Sequence, residues 1–262
     1  MTTLTKLLPY ELQNVARNRW VILYGLFFWG ITEVLFRLGD DSKVLLSLLN
    51  LIITIIPLMS ITFGVIYLYG AREYIEMMLA QPIHRKTLFV GLYTGLTGPL
   101  VIGFFIGVLI PFLTHYTYSA QNISVLTLLI LCGMMLTAIF VAISFLIALR
   151  FDDRLRGFGI TLIVWLTLVI LYDAMVLFIT ILMSNYPLEN ALIVLTALNP
   201  VDLARVLLLM EMDIAALMGY TGAIFHRFFG SIVGIGVSSA LLILWFYIPY
   251  RLALKKFLAK DF

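Results

Sequence analysis

Asp173 stands in the run VILYDAMVLF, and no other Asp, Glu, Lys or Arg lies between Arg156 and Glu189. A carboxylate at bilayer depth costs at least ~2.5 kcal/mol on insertion scales, so it must face a protein interior, a cavity or a partner chain. Two roles fit such a group. It serves a substrate, proton or gating site, with Tyr172 beside it on the pathway, or it joins spans by hydrogen bonding to Tyr172, Thr167 or a neighbouring helix. Glu33 and Arg37, four residues apart, read as a rim ion pair facing the headgroups. Met210 and Met212 flank Glu211 and precede Asp213. Thioether sulfur suits Cu(I), but packing or lipid contact is the commoner use of such methionines.

The stretch AREYIEMMLAQPIHRK is different in kind, because it is charged and short and sits between two apolar runs. A helix near Ala71–Ala80 must end before Pro82, whose ring and missing N–H stop it. Glu73 and Glu76 then lie one turn apart next to Met77 and Met78. That is a docking edge for a cytoplasmic partner, or an ordinary solvated loop.

What is missing narrows the chemistry further. The chain has no G-x-x-x-x-G-K-[ST], no H-E-x-x-H and no G-x-S-x-G. Cys132 is the single cysteine, and His84, His115 and His226 are far apart. No catalytic residues, metal ligands or directly bound cofactor are expected, and if ATP drives this protein a separate subunit must bind it.

The elements that hold these residues follow from composition. Of 262 residues, 63% are hydrophobic and 12% charged, and the mean hydropathy is +1.08. No soluble fold of this length buries so much apolar surface, so lipid is the solvent. Six stretches reach the ~20 residues a spanning helix needs: Trp20–Leu38, Val44–Tyr69, Leu88–Leu113, Ile123–Leu149, Phe158–Ser184 and Phe228–Tyr250. Gly91, Gly95 and Gly98 fall inside the third as packing or kink positions. Thirteen of the 17 Lys and Arg residues lie in the N-terminal segment, the second and fourth loops and the C-terminus. By the positive-inside rule these are cytoplasmic, and so are both termini. In residues 1–18, Leu4, Leu8, Leu12 and Val15 recur at helical spacing, which predicts an interfacial helix and no signal peptide. Residues 185–227 form an outer segment with two apolar runs too short to span, broken at Asn199-Pro200. The whole of 1–262 is one transmembrane domain, and a net charge of +3 gives no case for a nucleic-acid partner.

The 70–87 loop, with Glu73, Glu76, Pro82 and Arg85, resembles the cytoplasmic loop of ABC type-2 permeases, where acidic residues precede a turn, a proline and a basic residue. Tyr74 and Ile75 replace the Gly-Thr that many of these loops carry. Six spans, the interfacial helix and a long outer segment before the last span resemble the same family. Within it, REYIEMMLAQPI, the LYD around Asp173 and LNPVDLARVL are most similar to the permeases that serve maturation of nitrous oxide reductase.

The resemblance implies an all-α exporter-type permease of the bacterial inner membrane, working as a homodimer with an ATP-binding cassette ATPase. Glu73, Glu76, Met77, Pro82 and Arg85 would couple to that ATPase. A periplasmic accessory protein is also implied, for which Asn199, Pro200, Asp202 and Arg205 are contact candidates. The activity implied is assembly of the reductase's copper–sulfur centre. The alternatives are export of a drug, lipid or polysaccharide, or a mechanical anchor that moves no solute.

Overall fold

The computed structural model describes residues 19–39, 41–115, 120–182, 189–212 and 232–261. The expected interfacial helix of residues 1–18 lies outside them, as does Asp213. No strand occurs among the described residues. In chain order the helices are α1 (Arg19–Leu38), α2 (Asp41–Gly70), α3 (Arg72–Leu79), α4 (Arg85–His115), α5 (Ala120–Arg150) and α6 (Arg154–Leu166). A π-helical turn (Thr167–Leu171) joins α6 to α7 (Tyr172–Leu182), and α8 (Glu189–Ala197), α9 (Pro200–Glu211) and α10 (Ile232–Ala259) follow. Six helices are long and apolar enough to cross a membrane: α1, α2, α4, α5, α6 continued through α7, and α10. Helices α8 and α9 form a seventh apolar unit bent by 113° at its break.

Each span closes its own backbone hydrogen bonds, which is why apolar runs of this length become helices in lipid. Pro57, Pro99, Pro111 and Pro249 all sit inside helices without ending them. In a bundle the freed carbonyls find partners on neighbours or in local adjustments. The central helix is α5, which lies along α2 and α10 and also touches α4, α6 and α9. Its Leu136, Ile139, Phe140, Val141 and Phe145 are completely enclosed. Rings of Phe89, Tyr93, Phe145, Tyr250 and Phe257 interlock where α4, α5 and α10 meet, Tyr93 and Tyr250 with centroids 5.0 Å apart.

Helix α1 lies along α4 and touches little else. The two meet at Gly25, Gly103 and Gly107. A Cβ added at Gly107 would stand 2.8 Å from the Gly25 carbonyl oxygen, so only glycine permits this approach. At the far end Glu33 Oε1 accepts from Arg37 Nε at 2.8 Å and pairs with His115 Nε2 at 2.9 Å. The rim pair expected within α1 therefore also ties α1 to α4. Helices α6 and α7 lie at the periphery, with Leu177, Phe178, Ile181 and Leu182 of α7 all exposed.

One boundary differs markedly from the sequence expectation. The last helix continues nine residues past Tyr250 and carries Arg251, Lys255 and Lys256 on helical turns. Hydropathy marks where lipid contact ends, whereas the helix persists because Leu254 and Phe257 still pack against the bundle.

Candidate functional site

Two clusters gather the polar residues, one at the basic end of the bundle and one around the α8–α9 break, beside the middle of α6–α7 and of α10. At the basic end α3 leaves α2 through Ala71 and packs on Ile75, which is fully buried. Glu73, Glu76 and Met77 point outward from the same short helix, and Met77 is 55% exposed. Pro82 is exposed beyond the helix end. Helix α3 is therefore held by one side and offers the other, an acidic edge with a methionine at its centre.

One side-chain tie leaves that helix, and three further ties join the helix ends around it. Arg72 reaches Asp152 in the α5–α6 loop at 3.3 Å and Glu76 at 3.9 Å. Lys260 Nζ lies 2.7 Å from the same Asp152 oxygen and 3.2 Å from the Leu149 carbonyl. Arg85, at the start of α4, donates to the carbonyls of Lys260 at 2.9 Å and Leu258 at 3.3 Å. Tyr69 donates to the Phe151 carbonyl at 2.7 Å. The hydrogen bond and charge of Lys260, helped by Arg72, hold the Asp152 carboxyl below the usual carboxylate range. The tie from α3 therefore ends on Asp152, the same loop carboxylate that holds Lys260 at the end of α10. Arg85 serves this network from within the chain. Asp152 and Lys260 carry no motif that singles them out in sequence.

The second cluster is built on two breaks. Asn199 caps α9, its Oδ1 accepting from the Val201 N–H at 3.0 Å, with Pro200 in the first turn where no donor is needed. The other end of the Asn199 amide donates to the Leu168 carbonyl in the π turn at 2.7 Å. A π turn displaces the backbone register, and such turns concentrate at functional positions. Tyr172 donates to the Leu195 carbonyl of α8 at 2.6 Å, and Trp245 of α10 donates to the Ala197 carbonyl at 3.1 Å. The exposed carbonyls of the α8–α9 break are therefore satisfied by side chains from two spans.

Charge completes the junction. Arg205 Nη1 stands 2.6 Å from Asp173 Oδ2 and 3.2 Å from Asp202 Oδ1. The structure thus joins the pathway candidates Tyr172 and Asp173 to the set Asn199, Pro200, Asp202 and Arg205. Asn199 is fully enclosed, Pro200 is buried and Asp202 is 8% exposed, so these three face the chain's own interior. Two carboxylates share one guanidinium, and Asp173 is an ion-pair partner rather than an isolated acid.

The methionine pair is divided in its surroundings. Met210 is buried in the core and Met212 packs against it, while Glu211 accepts from Ser124 of α5. No group of three or more His, Cys, Asp or Glu residues suited to a metal ion occurs among the described residues.

No protein-family model matches the chain. It is similar to the probable ABC transporter permease protein NosY of Pseudomonas aeruginosa, at 26% identity over 236 residues, covering 80% of this chain and 82% of that protein.

Proposed function

We propose that this chain, a distant relative of the ABC transporter permeases and a multi-pass protein of the bacterial cell membrane, is the membrane subunit through which a separate ATPase drives movement at the opposite membrane face. The observation that carries the proposal is the geometry of α3. Its Glu73–Glu76–Met77 face is open, while Arg72 ties it to Asp152 of the α5–α6 loop, where Lys260 at the end of α10 also pairs. A partner subunit that shifts α3 moves those helix ends as a set. The basic end is then the cytoplasmic one, in keeping with the distribution of Lys and Arg. Two copies of this chain would each present one α3 to one ATPase subunit.

The finer role is assembly of the copper–sulfur centre of nitrous oxide reductase, with a periplasmic accessory protein as the outer partner. REYIEMMLAQPI and LNPVDLARVL, both resembling the permeases of that maturation system, support this assignment. The Arg205 cluster favours a mechanical version, since Asp173 ties a span to the α8–α9 unit and would transmit motion instead of ligating a solute.

The test is to delete the gene in its host and follow two readouts. Nitrous oxide reductase should accumulate without its copper–sulfur absorbance, and the affinity-purified protein should carry an ATPase subunit. An intact reductase with the ATPase still bound would leave a permease of another cargo; absence of any ATPase would overturn the permease assignment.

A further inference from the structure

The exposed side of α10 changes character toward the basic end. Leu244, Tyr247 and Ile248 lie on the outside of the bundle, and Arg251, Lys255 and Leu258 continue the same stripe at spacings of three and four residues. Arg251 and Lys255 open onto a cleft of about 480 Å³, where Leu252, Leu254, Leu258 and Ala259 are the apolar lining. Two measures give the depth of this cleft. From Ile232 to Arg251 the helix rises about 28 Å, close to the ~30 Å hydrocarbon thickness. From the other direction, Arg85 at the start of α4 donates to the Leu258 and Lys260 carbonyls, so Leu258 is level with the basic end of that span. Arg251 then stands about 10 Å, and Lys255 about 5 Å, from Leu258 toward the middle of the membrane. The polar layer on each side of the hydrocarbon is ~5–8 Å thick, so the two cations occupy the level of the lipid headgroups.

Arg251 is held in a particular way. A helical side chain leans toward the N-terminus of its helix, which for α10 is the membrane interior. The Arg251 guanidinium follows that direction and lies 5.4 Å from the centre of the Tyr247 ring, one turn back. A boundary cation usually extends its stem toward water instead. Neither Arg251 nor Lys255 meets an Asp or Glu among the described residues, whereas Lys260 beyond the same helix pairs with Asp152 at 2.7 Å. Two uncompensated cations in one cleft call for an anion. The apolar stripe that runs from them toward Leu244 calls for a chain attached to that anion, and a soluble anion would leave it unused. We infer that the cleft binds the phosphate of an anionic phospholipid from the leaflet at the basic end, between Arg251 and Lys255, with an acyl chain along Ile248, Tyr247 and Leu244. The inference needs only the membrane placement of the helices and does not depend on the ATPase or on the cargo.

The experiment uses the whole protein in vesicles of phosphatidylcholine with a minor share of phosphatidylglycerol. A trace of either lipid carries a photoactivatable group on one acyl chain, close to the glycerol, and adducts are mapped by peptide mass spectrometry. The expected result is labelling of residues 244–258 at least about fivefold greater from the glycerol lipid, the preference that one cation near the headgroups confers. Arg251→Gln with Lys255→Gln should bring the two lipids to equal labelling without lowering the choline signal. Lys256→Gln should keep the preference, because Lys256 is exposed on the same helix end but lines no part of the cleft. Equal labelling by both lipids in the wild type would overturn the inference. So would loss of the preference in Lys256→Gln, which would mean diffuse attraction to a basic helix end, or suppression of the adducts by inorganic phosphate, which would mean a soluble anion. Disulfide formation between two copies through Leu258→Cys, with the cleft shielded from both lipids, would overturn it as well.

Discussion

Charge counting in the Arg205 cluster leads to an asymmetry that a simple ion pair would not show. Asp173 and Asp202 both contact one guanidinium nitrogen, at 2.6 Å and 3.2 Å. Asp173→Asn removes one of two acids and leaves Arg205 paired with Asp202, one charge against one. Arg205→Met removes the only cation of the three and leaves two carboxylates facing each other. Removing one member of a buried pair typically costs ~3–5 kcal/mol, because the survivor stays desolvated and uncompensated. The side chains of Arg205 and Asp173 keep 25% and 33% of their surface open, which reduces the expected loss for Arg205→Met to ~1–3 kcal/mol. Asp173→Asn should cost less than ~1 kcal/mol, since the amide keeps the shape and one hydrogen bond. Arg205→Met with Asp173→Asn should be more stable than Arg205→Met alone, with one unpaired carboxylate instead of two. Denaturant unfolding of the purified protein in mild detergent measures all three variants. An Asp173→Asn loss equal to that of Arg205→Met, or additive losses in the double variant, would refute the shared-guanidinium account.

Further outcomes follow from other parts of the fold. Cysteines placed at Ser119 and Glu189 should react with an impermeant maleimide from outside, and one at Asp153 should not; buried Cys132 keeps the background low, and outside reaction at Asp153 would invert the orientation. Asp152 has its carboxyl lowered by Lys260, so its contribution to stability is complete above the ordinary carboxylate range and fades as pH falls through the lowered value. Acid melting curves should therefore flatten in Asp152→Asn, and an unchanged pH dependence would contradict the tie. Gly107→Val should cost ~1–3 kcal/mol by forcing α1 away from α4, because the added carbon meets the Gly25 backbone at 2.8 Å; an unchanged unfolding midpoint would show that the helices separate easily.

The spans were legible because twenty consecutive apolar residues have few other fates in this composition. The break at Asn199-Pro200 was legible for a local reason as well, a capping amide followed by a residue suited to the first helical turn. Asp173 stood out as an anomaly, yet its partner could not be read from the sequence. Arg205 lies on another element, beyond a break and an intervening helix, and nothing local in either segment records the contact. The same holds for Arg72 and Lys260 converging on Asp152, which come from three distant stretches of chain. Asn199 and Asp202 were contact candidates for an outer partner through the family resemblance of LNPVDLARVL, and sequence similarity carries no record of burial. Asn199 is enclosed where its amide joins the α8–α9 break to the π turn, and Asp202 where it pairs with Arg205. The π turn at Thr167–Leu171 had no sequence signal, since TLVIL reads as any apolar helix.

The claim on which the rest depends is that the open face of α3 transmits ATPase motion into the bundle. Its most direct measurement is ATP hydrolysis by the reconstituted complex of this chain with its ATPase subunit, compared between wild type and Glu76→Ala/Met77→Ala. Both side chains are exposed, so the double variant should fold and insert normally. The account predicts weakened subunit association, or hydrolysis that continues while the function served by the complex is lost. Wild-type association together with wild-type coupling in a variant at matched membrane levels would contradict it.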